Sequence, residues 1–172
     1  GYTGMSGVEI IPGENKIVGY VRNGHYIPEN FKNYFVIQFD QPIRRYGIWE
    51  NTDNKNHILE TTGEGKGVGA WVEFDPGVKV QIKTASSYIS IEQAGLNLSK
   101  ELGQFRTLEQ TKNAAWKTWN DHLHRILVEG DNEEDKATFY SCFFRASLFS
   151  RKFYEIDQNG NPYYYSPYDG KI

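Results

Sequence analysis

Cysteine, methionine and proline are scarce in this chain: one, one and six among 172 residues. The single thiol, Cys142, excludes an intrachain disulfide. It sits in an aromatic stretch with helical spacing, where it is expected to be a buried small hydrophobe rather than a nucleophile. No apolar run is long enough to span a bilayer as a helix. The formal net charge is only -3 and Lys and Arg are scattered, which argues against a general nucleic-acid binder. Charged residues make up 24%, too few to suggest disorder. There is no nucleophile elbow, zinc spacing or dinucleotide fingerprint. No signal peptide is visible and Gly1-Tyr2-Thr3-Gly4 is unlike a natural start, so the chain is expected to be an excised piece.

Aromatic rings are abundant: 12 Tyr, 10 Phe and 4 Trp make up 15% of the residues. Rings fill cores, and a flat ring also suits the apolar C–H face of a pyranose. From Gly1 to about Ile89 the texture is β. Strands are expected over Val8–Ile11, Lys16–Val21, Tyr34–Phe39, Ile43–Trp49, Val68–Phe74 and Val78–Thr84. Phe35, Ile37 and Phe39 alternate with Val36 and Gln38, and turn residues separate the runs. Asp75-Pro76-Gly77 is expected to close a tight hairpin between Val72–Phe74 and Val78–Val80. Residues 51–56 and the alternating glycines Gly63, Gly65 and Gly67 are expected to be connections, the latter because a strand and not a helix follows. Short strands with no helix between them favour an antiparallel β-sandwich.

At Ser90 the period changes. Ser90 with Gln93, and Thr107 with Gln110, have capping-box spacing. The first helix runs through Ala94, Leu98 and Leu102 to Gly103. The second carries Leu108, Ala115, Trp116, Trp119, Leu123 and Ile126 on one face and is expected to end at Gly130. Asn132 is a good N-cap for a third helix, with Glu133, Glu134 and Asp135 placed for the helix dipole rather than for catalysis. Its stripe of Ala137, Tyr140, Phe144 and Leu148, flanked by Phe139 and Phe143, needs a partner, and the tryptophan-bearing helix is the nearest.

Few residues suggest chemistry on their own. Arg22, Asn23, His25 and Tyr26 form a polar loop able to meet sugar hydroxyls, with a plain hairpin turn as the other reading. Tyr163, Tyr164, Tyr165 and Tyr168 crowd a proline-broken tail. Asp157-x-Asn159 looks like the opening of a calcium loop, but no bidentate Glu follows at the twelfth position, so a turn is expected. His122 and His124 are two apart on a helix and cannot share a metal. His25 and His57 are loop histidines. Asn97-Leu98-Ser99 matches a glycosylation sequon on a helix.

A spread pattern joins these segments. Ser87, Ile89, Ser90, Glu92, Ala94, Asn97 and Leu98 come first. Trp119, Leu123, Ile126 and Val128 follow, then Phe139, Tyr140, Phe144 and Arg145, then Asp157 and Gly160. In order and spacing the chain resembles glycoside hydrolase family 92, the calcium-dependent exo-α-mannosidases of bacteria. The resemblance implies a β-sandwich, a helical linker and an (α/α)6 barrel with the active site where sandwich and barrel meet. It implies hydrolysis of terminal α-mannosides with inversion, by a carboxylic acid and a carboxylate base. On that basis residues 1–89 are a partial sandwich domain, 90–130 a helical linker and 131–172 the opening of a truncated catalytic domain.

The resemblance places no catalytic residue and no metal ligand within this chain, so calcium belongs to the parent enzyme and the isolated chain is expected to be inactive. Sugar contacts are expected at Arg22, Asn23, His25 and Tyr164. Here Gly24-His25 stands where the family usually has Gly-Trp. The implied partners are a mannose-containing glycan and the remainder of the catalytic domain, with no nucleic acid and no membrane span. The implied location is periplasmic, cell-surface or secreted. The competing readings are a non-catalytic carbohydrate-binding β-sandwich module and a purely structural interface domain.

Overall fold

The computed structural model describes residues 4–22, 28–50, 55–103, 107–148 and 152–172. These fall into two units, Gly1–Gln104 with Tyr154–Ile172, and Phe105–Phe153. The first unit holds strands β1 (Met5–Ile11), β2 (Lys16–Val21), β3 (Asn33–Phe39), β4 (Arg45–Glu50), β5 (Lys55–Ile58), β6 (Thr62–Lys66), β7 (Val68–Glu73) and β8 (Ile82–Ser87). Helix α1 (Ile91–Leu102) follows them, and a short hairpin, β9 (Glu155–Ile156) and β10 (Pro162–Tyr163), returns to the unit.

The strands form a five-stranded sheet in the order β6-β1-β2-β3-β8 and a three-stranded sheet in the order β5-β4-β7. Every pairing in the two sheets is antiparallel. Period-two alternation explains how both faces of the larger sheet are used. Ile10, Ile17 and Phe39 turn one way and meet Ile48 of the smaller sheet in a buried core, with Phe35, Ile37, Val68, Ala70 and Val72 packed around it. Val18 and Val36 turn the other way, onto Ala94 of α1, with Ile11, Ile91 and Leu98 beside them. The result is a β-sandwich with one helix on its outer face.

Several strand and loop expectations are corrected: residues 55 and 56, with His57, lie in β5 rather than in a connection, and the last strand of the sandwich is Ile82–Ser87 rather than Val78–Thr84. Asp75-Pro76-Gly77 does turn, with the Val78 N–H donating to the Asp75 carbonyl at 3.4 Å and Gly77 at φ +80°. The turn nevertheless joins two sheets: β7 pairs with β4, and β8 pairs with β3. Turn chemistry is local, whereas strand partners are chosen by which apolar faces close the core. The glycines at 63 and 65 lie inside β6 rather than in a loop. A Cβ on Gly63 would stand 2.6 Å from Ile48 Cγ2 and 2.7 Å from Val68 Cγ2, so the strand can approach the second sheet only without a side chain there.

The second unit pairs α2 (Leu108–Leu123) with α3 (Glu133–Ser147). Thr107 and Gln110 form the full reciprocal capping box, and the Asn132 side chain accepts from the Glu134 N–H at 3.0 Å. Helix α2 stops at Leu123 rather than at Gly130. Tyr140 holds the chain that follows: its hydroxyl donates to the Ile126 carbonyl at 3.1 Å and accepts from the Val128 N–H at 3.3 Å. The contact between the helices is aromatic, with Trp119 edge-on to Phe144 at 4.5 Å and the His122 ring stacked on Phe143 at 5.3 Å. Ser147 gives its hydroxyl proton to the Phe143 carbonyl, so His122 Nε2 is the donor in its 2.8 Å bond to Ser147. The apolar face read from the sequence is divided: Trp119 and Leu123 are half-buried, while Leu108 and Trp116 stay exposed. Cys142 is exposed and not buried.

Candidate functional site

The segment after β8, helix α1 and the returning hairpin meet through a polar node. Ser90 caps α1, its side chain accepting from the Gln93 N–H at 3.1 Å. The Gln93 side chain does not complete a capping box. It is 4% exposed and does other work. Its Nε2 donates to Asn97 Oδ1 at 2.8 Å and to the Ile156 carbonyl at 2.9 Å, and its Oε1 accepts from the Tyr163 hydroxyl at 2.7 Å. Asn97 in turn donates to the Ser86 carbonyl at 3.0 Å and to Glu155 at 2.8 Å. Glu155 also accepts from the Tyr88 N–H at 2.8 Å. A buried amide satisfied on both sides fixes the hairpin to the sandwich, because loss of any partner would leave a buried polar atom bare. Burial, then the nearby Glu155 and Asp157 charges, pushes the Tyr163 hydroxyl above its ordinary pKa.

Beyond the hairpin the tail returns to the sandwich rim. Asn30 donates from its side-chain nitrogen to the Gly170 carbonyl at 2.9 Å and accepts from the Tyr165 hydroxyl. Phe31 stacks on Tyr88 at 5.3 Å and leans on Tyr165 at 5.4 Å. The tyrosine-rich tail thus lies against residues 30 and 31. Asn23, His25 and Tyr26, expected from the sequence to meet sugar hydroxyls, lie outside the described residues. Arg22 is described: its backbone N–H donates to the Met5 carbonyl at 2.9 Å, and its Nε is buried with no partner among the described residues. Tyr164 is 55% exposed and Tyr168 94% exposed, so both rings are open to a ligand. The sequence singled out the tail, but Asn30 and Phe31, which hold it against the sandwich, carry no motif that could have revealed the contact.

The other titratable groups have local work. Asp157 accepts from the Asn159 and Asn161 N–H groups, each at 2.8 Å, and from the Asn161 side chain at 3.3 Å. These bonds, those of Asn161 first, hold its pKa below the usual carboxylate range and close a turn. With its oxygens so engaged, and with no group of three or more His, Cys, Asp or Glu able to hold a metal among the described residues, the residues present do not fit a calcium site. Glu133 pairs with Lys136 at 2.7 Å, and Asp135 accepts from Asn132 at 2.9 Å, which is first-turn chemistry. On the outer face of the larger sheet, the Tyr20 hydroxyl donates to Glu64 while Lys32 Nζ sits 3.6 Å from the Tyr20 ring centroid. Burial, helped by Glu64, pushes the Tyr20 hydroxyl up to about 12. No helix among the described residues is long and apolar enough to cross a membrane.

Comparison with known proteins supplies what the geometry leaves open. Residues 2–87 match the glycosyl hydrolase family 92 N-terminal domain, and residues 93–172 match the glycosyl hydrolase family 92 catalytic domain. Among solved structures, the family GH92 inverting mannosidase BT2199 of Bacteroides thetaiotaomicron VPI-5482 is 39% identical, with a TM-score of 0.91 over 99% of this chain. The α-mannosidase BT3965 of Bacteroides thetaiotaomicron is 23% identical, with a TM-score of 0.75 over 94% of the chain, which shows a shared fold. The family glycosyl hydrolase ccman5 gives 20% and 0.74 over 93%, again a likeness of fold. This chain spans 23%, 23% and 22% of those three chains. No curated protein sequence matches it. With both domains matched in order along the sequence, the chain belongs to glycosyl hydrolase family 92.

Proposed function

We propose that this chain is part of a glycosidase that removes terminal α-linked mannose with inversion at the anomeric carbon. The observation that carries the reading is the likeness to an inverting mannosidase along nearly the whole chain, at 39% identity. Inversion needs a general acid at the leaving oxygen and a base on the opposite face to activate water. In this reading neither carboxylate lies in these 172 residues, nor do the calcium ligands. Residues 1–89 serve as a sandwich domain, 90–130 as the linker and 131–172 as the opening of the barrel. This chain's own part is positional. Gln93, Asn97 and Glu155 anchor the hairpin, and the hairpin leads into the exposed Tyr164. Tyr164 offers a ring to the sugar, and Arg22, Asn23 and His25 offer hydroxyl partners. The parent works in the periplasm, at the cell surface or outside the cell, where mannose-bearing glycans are met.

The test is release of mannose from an α-mannoside by the 172-residue chain with calcium present. No turnover is expected. Turnover would place the acid and base within these residues and overturn the division of labour. In the parent enzyme, chelation of calcium is expected to abolish activity, and full activity after chelation would contradict the reading.

A further inference from the structure

The smaller sheet carries a feature that the mannosidase reading does not use. Along β4 the side chains of Tyr46 and Ile48 enter the core, so Arg45, Gly47 and Trp49 face outward. Along β7 the residues Val68, Ala70 and Val72 enter the core, so Gly69, Trp71 and Glu73 face outward. The register sets Arg45 opposite Glu73, Gly47 opposite Trp71 and Trp49 opposite Gly69. Each tryptophan therefore faces a glycine. A Cβ on Gly69 would stand 2.3 Å from Trp49 Cζ2 and 2.4 Å from its Cε2. A Cβ on Gly47 would stand 2.7 Å from Trp71 Cζ2 and 2.8 Å from its Cε2. Both indoles thus lie across the neighbouring strand, over backbone that only glycine leaves clear.

From strand rise and spacing, the two covered glycines are roughly 8 Å apart, so the rings sit side by side and reach in opposite directions. Trp49 is 37% exposed and Trp71 half-buried. The Trp71 indole N–H is buried with no partner among the described residues, so Trp71 offers its ring and not its donor. Arg45 and Glu73 flank the rings, paired at 3.2 Å with side chains 52% and 49% exposed.

We propose that Trp49 and Trp71, held flat by Gly69 and Gly47 and flanked by Arg45 and Glu73, form an ancillary oligosaccharide-binding platform. The chemistry selects this ligand. Rings held flat over glycine present their π faces to the flat C–H face of a pyranose. The guanidinium and carboxylate beside them donate to and accept from ring hydroxyls. A stacked nucleic-acid strand would need a basic groove, and the net charge of -3 with one arginine beside one glutamate supplies none. The platform rests on the glycosidase reading for its choice of glycan. It would hold a branched or polymeric substrate away from the reacting bond.

The test is native affinity electrophoresis of the 172-residue chain in gels containing yeast mannan, with laminarin as a second polysaccharide. Mannan should retard the chain. Trp49→Ala and Trp71→Ala should each weaken retention by about tenfold. Gly69→Ala should also weaken it, because the added methyl tilts the Trp49 ring, while Trp116→Ala, at an exposed tryptophan of α2, should leave it unchanged. Where an alanine variant loses its β circular dichroism, Trp49→Phe and Trp71→Phe decide, with retention reduced by the smaller ring. Retention by laminarin alone, lost in Trp49→Ala, upholds the platform and counts against the mannosidase reading. Equal retention of wild type and both tryptophan variants, or no retention in either gel, overturns the platform. Retention lost only in Tyr164→Ala overturns it too and leaves the mannosidase reading standing.

Discussion

The sandwich and the helical pair are built from equally clear sequence patterns, yet they differ in packing. In the sandwich Ile10 and Ile48 are each 1% exposed, and Ala94 on the inner side of α1 is fully buried. In α2 and α3 no residue is buried. Their aromatic rings touch across a single seam, and Trp116, Leu127 and Phe153 are 67%, 72% and 80% exposed. A helix can satisfy its backbone alone and be capped well, so its formation does not require a finished core. A sheet buries its faces or does not form. The comparison separates what makes an element from what makes it stable.

The largest effect should come from the sandwich core. Ile48→Ala is expected to cost about 2–5 kcal/mol, read as a lower thermal midpoint of the β signal. In the helical pair, Phe143→Ala should cost only about 1 kcal/mol, because its ring is partly in water already. Equal losses in the two units would break the comparison. Native-state hydrogen exchange sharpens it: amides of α2 and α3 should exchange well before those of β2 and β3.

The polar node comes next. Gln93→Ala removes partners from Tyr163, Asn97 and the Ile156 carbonyl, and should cost about 1–3 kcal/mol with faster exchange in the hairpin. The caps test the other unit at a smaller scale. Thr107→Ala should cost about 1 kcal/mol of α2, seen as loss of helical circular dichroism, with the β signal untouched.

The smallest effects are pH limbs. The Tyr20 pKa is raised, so the folded state favours the protonated phenol. Its stabilisation is complete below the unfolded value of about 10 and is lost as pH rises through about 12. Alkaline absorbance titration should lose a transition near 12 in Tyr20→Phe, and an unchanged curve would contradict the burial of this hydroxyl beside Glu64. The Asp157 pKa is lowered, so its contribution is present above the ordinary carboxylate value and fades as pH falls through the lower folded one. Asp157→Asn should flatten that acid limb in a stability-against-pH series.

Strand alternation and helix caps were legible because their causes are local. Phe35, Ile37 and Phe39 point inward as their spacing required, and Asn132 and Thr107 cap where expected. Gly130 was a sound stop signal overtaken by an earlier one, since Tyr140 captures the chain at Ile126. Gln93 had the spacing of a capping partner and became the centre of a buried node instead, because Tyr163 and Ile156 arrive from far along the chain. Cys142 looked buried because its neighbours are aromatic, but a helix places neighbours in sequence on different faces. The family, too, was readable from the order of its motifs.

The amino-acid sequence by itself determined most of the strands, where the helices begin, and the family to which the chain belongs. Tertiary structure alone decided that Asp75-Pro76-Gly77 bridges two sheets, that the tyrosine tail lies against Asn30 and Phe31, and that two tryptophans lie flat over Gly47 and Gly69. The reason is one of range. Propensity, capping and alternation act over a few residues, whereas strand partners, buried amides and ring platforms depend on residues that only the folded chain brings together.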